Sequence, residues 1–293
     1  MLFFLFESIL LNMKNIINNF YNLEIEKTIL KNNKYFIISK KEKYLFKECN
    51  KNIDMNILIE TQKYEKFYRI IANKNNELIT RINDKEYILL KLSNKEERSI
   101  KKDIEDLMKN EFIVPMKMKN YKKIWEHKID KFEEYIKNKK EELKYREYYD
   151  YYIGLGENAI KYYMYIKNNN IRYTFTYRRI YEEEDVIDLY DPTNVIIDPF
   201  VRTISEYIKD SIVNNKKIDF DILNKMELSF DESILLICRV LFPTYFFDIH
   251  KKRDFEKLKK IINNSSKIEE TINYLINYYK NIGYEIPKID WLN

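Results

Sequence analysis

Residues Arg172–Ile212 read RYTFTYRRIYEEEDVIDLYDPTNVIIDPFVRTISEYIKDSI. β-Formers run from Arg172 to Tyr177, which predicts a strand. A basic triplet, Tyr177-Arg178-Arg179, ends it. An acidic run, Glu182-Glu183-Glu184, reads as a loop. Two Asp-Pro steps then flank Asn194, residue types that favour turns and helix caps. From about Val201 the apolar spacing becomes helical. The order is strand, charged loop, Asp and Asn near a turn, then an amphipathic helix.

Upstream of this stretch the pattern changes character near residue 93. Residues 14–22 predict a short helix, and 24–49 are strand-like, with Lys34–Ser39 and Tyr44–Cys49 either side of a charged turn. Residues 54–64 predict another short helix. Tyr68–Ala72, Leu78–Ile82 and Glu86–Leu92 predict three further strands. Beyond Leu92 the periodicity is helical. Helices are predicted over 95–110, over 119–146 with Trp125, Ile129 and Phe132 on one apolar stripe, and over 147–167. Downstream, 218–225, 230–247 and 254–281 also read as helices, the last as one helix or a pair. Buried positions are expected at Trp125, Ile129, Phe132, Leu236, Val240, Leu241 and Phe242.

The chain has 293 residues, with 52 Lys and Arg against 47 Asp and Glu, a net charge of +5. So mild an excess permits an acidic partner without pointing to nucleic acid. Three glycines and five prolines argue against long disordered linkers. Two separated cysteines, Cys49 and Cys238, are expected as buried free thiols in a reducing cytoplasm. His127 and His250 stand alone, so no metal cluster is predicted. Residues 1–12 are apolar but too short to span a bilayer. They lack a basic flank and a cleavage site. Met13-Lys14 is an equally good start, so 1–12 read as an upstream-start extension or a packed helix.

Several short runs carry a resemblance to a known family. They are Ile124-Trp125-Glu126, Tyr152-Ile153-Gly154-Leu155-Gly156, Tyr177-Arg178-Arg179-Ile180, Asp198-Pro199 with Ser205-Glu206-Tyr207-Ile208, Leu241-Phe242-Pro243, and Ile289-Asp290-Trp291-Leu292. In this order they resemble the CotS/YutH type of spore-coat kinase-like proteins of Firmicutes, within the aminoglycoside and choline phosphotransferase superfamily. The resemblance implies an α+β, protein-kinase-like two-lobed fold. Residues 1–93 would form a small antiparallel β-rich lobe and 94–293 a mainly helical lobe.

Phosphoryl transfer in such folds needs a carboxylate near the attacking hydroxyl, an Asp and often an Asn on magnesium, and a strand Lys on the phosphates. The resemblance puts Lys47 at the strand Lys. It puts Tyr177 in place of a catalytic-loop His and Arg179 in place of the Asp, beside Arg178. A guanidinium cannot take a substrate proton at neutral pH. Asp188 or Asp191 would approximate the metal Asp. A second register, through Asp191-Pro192-Thr193-Asn194, would instead turn Asn194 and Asp198 toward a metal. Arg202 is followed by Thr203 where the family carries Arg-Asp. No glycine precedes Gly154 to bring backbone close to phosphate.

The expected function is therefore that of a non-catalytic, kinase-like protein acting by binding, in spore-coat assembly as the family suggests. One alternative is an active small-molecule phosphotransferase using ATP and magnesium through a non-standard site. A helical interaction scaffold, related only in fold, is the other. The expected partner is an unidentified protein such as a spore-coat component, with no nucleic acid, no membrane and no resident cofactor. The expected location is cytoplasmic and spore-associated.

Overall fold

The computed structural model describes residues 13–31, 34–49, 53–92, 119–137, 146–167, 170–178 and 190–288. The predicted 1–12 extension, the 95–110 helix, Arg179, the Glu182–Glu184 run, Asp188 and the Ile289–Leu292 motif lie outside the described residues. The chain divides into two compact units, Met1–Ser99 with Glu184–Ile196, and Ile100–Glu183 with Ile197–Asn293. The first unit thus takes a segment from the middle of the chain as well as its beginning.

The first unit is built on a six-stranded sheet whose described pairings are all antiparallel. After a helix over 13–20 (α1) come β1 (Lys27–Lys31), β2 (Lys34–Ser39), β3 (Glu42–Glu48), α2 (Met55–Thr61), β4 (Arg69–Ile71), β5 (Thr80–Ile82) and β6 (Lys85–Leu92). The order across the sheet is β1-β2-β3-β6-β4, with β5 also pairing with β6. β2 and β3 are joined by a two-residue turn at Lys40-Lys41, both at positive φ (47° and 68°). Two left-handed residues match the twist of a tight hairpin. Glu26 Oε1 accepts the Lys40 N–H at 3.0 Å.

Side chains alternate across the central strands as the pleat requires. Tyr44 and Phe46 of β3 and Leu89 of β6 pack on one face with Ile17, Tyr21 and Ile25. Leu45 and Cys49, with Ile88 and Leu90, pack on the other with Leu58 of α2 and with Tyr190. A sheet covered on both faces needs continuous apolar runs in its central strands, which Tyr44-Leu45-Phe46 and Ile88-Leu89-Leu90 supply.

Among its described residues the second unit is helical apart from one strand pair. Its elements are α3 (Tyr121–Lys137), α4 (Arg146–Tyr163), β7 (Tyr173–Tyr177), β8 (Val195–Pro199), α5 (Val201–Val213), α6 (Asp221–Asn224), α7 (Phe230–Leu241), α8 (Thr244–Lys252), α9 (Phe255–Asn263) and α10 (Ser265–Asn281). β8 begins in the first unit and ends in the second. At the centre lies α7, against which α4, α5 and α10 pack. Ile234, Leu235, Leu236, Ile237 and Cys238 have no exposed surface. A helical turn apolar all round must be buried. By length and composition Phe230–Lys252 is apolar enough to cross a membrane, yet 94% of its apolar window is inside the protein.

The seven residues expected to be buried all are. Trp125 of α3 stacks on Phe242 with ring centres 5.1 Å apart, and Phe132 meets Phe247 at 4.5 Å. Both cysteines are buried free thiols. Buried His250 hydrogen-bonds the Tyr149 hydroxyl at 2.8 Å, a structural role. Two readings need correction. The predicted 230–247 helix is two helices, because Pro243 cannot supply the N–H that would continue the first. The run Val195–Pro199, read as part of a turn, is a strand pairing with β7.

Candidate functional site

In the first unit the site is built on β3. Lys47 shares a pleat direction with Leu45 and Cys49, so it points to the face that α2 and Tyr190 cover. Tyr190 is fixed there by its ring, 5.7 Å from that of Tyr68, and by its carbonyl, which accepts the Tyr68 N–H at 2.9 Å. Asp191 follows, with its side chain fully buried, and pairs with Lys47 Nζ. The Lys47 ammonium also donates to Thr193 Oγ1 at 3.0 Å. Asp191 at the same time caps the short 3₁₀ turn Pro192–Asn194. Its Oδ1 accepts the Thr193 N–H at 2.8 Å and the Thr193 hydroxyl at 2.7 Å. Both carboxylate oxygens are thereby engaged, one by a turn and one by a cation. Burial pushes the neighbouring Cys49 thiol up to about 12.

In the second unit the site is built on the end of β8. Asp198 is 1% exposed and is met by three cations. Its Oδ1 accepts from Lys119 Nζ at 2.9 Å and from the Tyr121 hydroxyl at 2.7 Å. Its Oδ2 accepts from Arg202 at 2.6 Å, with Arg239 at 3.5 Å. Burial pushes this carboxyl up, but Arg239, Arg202 and Lys119 outweigh it and hold the group down at about 2. Arg239 is itself pushed down by burial and by Arg202. Its guanidinium lies over the Tyr121 ring, 5.4 Å from the centroid.

Helix α7 supplies the frame around this carboxylate. Its buried charges each hold a different piece of backbone or a side chain. Asp231 accepts the backbone N–H groups of Lys167 and Asn170 at 3.0 and 3.2 Å. Glu232 completes a capping box with Ser229 and binds the Arg172 guanidinium through both oxygens, each at 2.9 Å. Arg239 reaches Asp198. Arg172 carries the chain into β7, and its carbonyl accepts the Phe200 N–H at 2.8 Å.

The residues predicted from sequence fall into two groups. Lys47 and Asp191 are brought together in the first unit, with Asn194 half-buried at the end of the same turn. Asp198 belongs to the second unit, where Tyr177 is fully buried at the end of β7 and Arg178 is half-buried beyond it. Arg179 and Asp188 lie outside the described residues. Sequence reasoning missed Arg202. Its Nε and NH2 donate to the carbonyls of Tyr177 and Arg178 at 3.0 and 2.8 Å while NH1 holds Asp198. A guanidinium therefore fixes the strand end after β7, although Thr203 stands where the family carries an Asp. The closeness of the two opposite charges in sequence, Asp198 at the end of β8 and Arg202 at the start of α5, was the available signal. Lys119, Tyr121 and Arg239 carried none. Among the described residues no group of three or more His, Cys, Asp or Glu side chains is placed to hold a metal. Magnesium takes carboxylate oxygens in near-octahedral geometry. As arranged, the oxygens of Asp191 and Asp198 face protein donors, so these residues do not fit that ion.

Known proteins share this architecture. Spectinomycin phosphotransferase APH(9)-Ia, in complex with ADP and spectinomycin, superposes with a TM-score of 0.60 at 14% identity, over 91% of this chain and 93% of that one. An aminoglycoside phosphotransferase from Alicyclobacillus acidocaldarius gives 0.57 at 12% identity, over 89% and 94%. Choline kinase LicA from Streptococcus pneumoniae gives 0.51 at 11%, over 92% and 99%. Identities this low carry the fold alone, which is that of the kinase-like phosphotransferases. In sequence, the endospore coat-associated protein YutH of Bacillus subtilis (strain 168) is 24% identical over 209 residues, 59% of this chain and 61% of that protein. The match thus spans less than two thirds of that relative. The family model described as spore coat putative kinase YutH matches residues 14–281, nearly the whole chain, and the chain belongs to that family.

Proposed function

We propose that this chain is a kinase-like protein that acts by binding and not by phosphoryl transfer, in association with the spore coat. The observation that supports the reading is the state of its two described candidate metal carboxylates. Asp191 is closed by Lys47 and Thr193, and Asp198 by Arg202, Arg239, Lys119 and Tyr121. A magnesium ion would have to displace several charge-assisted hydrogen bonds from a buried carboxylate, each among the stronger kinds a protein makes. The basic triplet at Tyr177–Arg179 offers no proton acceptor for a substrate hydroxyl. Association with the spore coat follows from family membership and from the endospore coat-associated relative.

One observation favours the active phosphotransferase instead. Lys47 sits on a central strand beside a buried carboxylate, a place from which an ammonium can reach phosphate oxygens. Thermal unfolding with and without ATP and magnesium, together with a turnover assay, separates the two. The binding reading expects no magnesium-dependent rise in melting temperature and no steady turnover. Turnover that survives purification and disappears in Asp191→Ala or Asp198→Ala refutes it.

A further inference from the structure

Within the second unit a cleft of about 900 Å³ opens between α3 and α8, and none of the residues that hold Asp198 lines it. Its floor is apolar, made by Phe132 and Phe247, and Ile124 lies on its shoulder with 41% of its surface exposed. Its rim is cationic. Lys123, Lys128, Lys131 and Lys251 line it against the carboxylates of Glu134 and Asp248. Lys123 and Lys131 are eight residues apart on α3, so they share a face, and His127 lies between them. Lys123, Lys131 and Lys251 are exposed and form no ion pair with a described residue.

We propose that this cleft is a docking groove for an acidic amphipathic helix of a partner protein. The lining from Lys123 to Tyr135 covers twelve steps of helix, a length of about 18 Å. That is an elongated shelf, suited to about three turns of a second helix laid along it. Apolar residues of the guest would rest on Ile124, Phe132 and Phe247, and its carboxylates would meet the lysines, the usual division of work in helix-in-groove recognition. Charge complementarity selects the partner's sign, four lysines against two carboxylates. Lys47, Asp191 and Asp198 are not among the residues that line the groove.

The test uses the full chain and a fluorescein-labelled synthetic helix of about three turns, with Leu on one face and Glu on the other, read by anisotropy. A matched peptide with Lys in place of Glu is the control. The expected result is saturable binding of the acidic peptide, weakening as salt rises. Reversing three rim charges together, Lys123→Glu, Lys131→Glu and Lys251→Glu, should weaken it by about tenfold or more. Ile124→Ser should weaken it by a smaller factor. All four positions are exposed, and an unchanged melting temperature will show that the fold is intact. Failure of the wild-type chain to bind the acidic peptide overturns the proposal. Equal binding by the triple variant, equal binding of the Lys peptide, or displacement of the peptide by duplex DNA or anionic vesicles does so as well.

Discussion

Replacing Asp198 by Asn keeps the shape of the side chain and removes its charge from among Arg202, Arg239 and Lys119. The size of the effect follows from the carboxyl's own titration. Its ordinary value of 3.8 falls to about 2 in the folded chain, and that drop is worth roughly 2.5 kcal/mol. The group is depressed on folding, so its stabilisation is fully present above the unfolded value near 3.8 and is lost as pH falls through about 2. Asn resembles the protonated acid at every pH. It also leaves Arg239, 7% exposed at its side chain, without its carboxylate, and a buried charge stripped of its partner costs about 3–5 kcal/mol. The variant should therefore lose between about 2.5 and 5 kcal/mol at pH 7. Urea denaturation at neutral pH reads this directly. Repeating it from pH 5 to pH 2 should show the wild-type advantage closing, while the variant lacks that segment of acid sensitivity. Adding Arg239→Met to the Asn variant should restore part of the loss, because the orphaned guanidinium is gone. A carboxylate kept for an external ligand behaves the other way, since residues reserved for function are commonly stabilising to replace. A loss under about 1 kcal/mol, or a gain, would refute the claim that Asp198 is a structural charge closed by its own protein.

Gly154 and Gly156 both lie inside α4, but an added methyl meets nothing within 4 Å at Gly154 and meets Ile129 Cδ1 at 3.0 Å at Gly156. Gly154→Ala should raise stability by about 0.5–1 kcal/mol, and Gly156→Ala should gain less or lose; equal melting shifts would count against this packing. Burial holds the thiols of Cys49 and Cys238 up, so an aromatic disulfide reagent should label neither at pH 7 until denaturant is added. Deletion of residues 1–12 should leave cooperative unfolding, because α1 is held by Ile17 and Tyr21 packing under the sheet; a broadened transition would show otherwise. Lys47→Met should cost about 3 kcal/mol by leaving the Asp191 carboxylate buried without its ammonium, and Lys47→Met with Asp191→Leu should cost less than the two changes summed.

The fold was legible where local pattern and tertiary demand agree. The β2–β3 hairpin shows as two β-forming runs about a polar turn, and α3 shows as one apolar stripe because a single face of it is buried. Legibility failed where a short element depends on a distant partner. Val195–Pro199 has only three apolar residues between two Asp-Pro steps, and it becomes a strand because β7, some twenty residues earlier, offers its edge. At Phe242-Pro243 the apolar run continues through the break, so hydropathy pointed to one helix while the missing proline N–H made two.

The site divides along the same line, and the division bears on how such a chain is to be read. Alternation along β3 puts Lys47 on the same side as Leu45 and Cys49, but both faces of the strand are apolar, so the sequence fitted an outward lysine as well as an inward one that needs a buried counter-charge. Which acid answers it was not readable, since Asp191 lies 144 residues away. Asp198 is the stronger case. Its partners come from positions 119, 121, 202 and 239, and the Arg202 spacing alone is local. An Asp near a turn reads from sequence as an open ligand, because counter-charges contributed by remote helices leave no mark beside it. Arg239 shows the consequence. Asp231 and Glu232 sit at the start of α7 and are taken up by other groups, so the buried Arg239 near its end is costly unless another carboxylate waits for it, and the pairing with Asp198 is one that the burial of α7 itself requires. The same frame that makes α7 a stable core helix is what closes the carboxylate of Asp198.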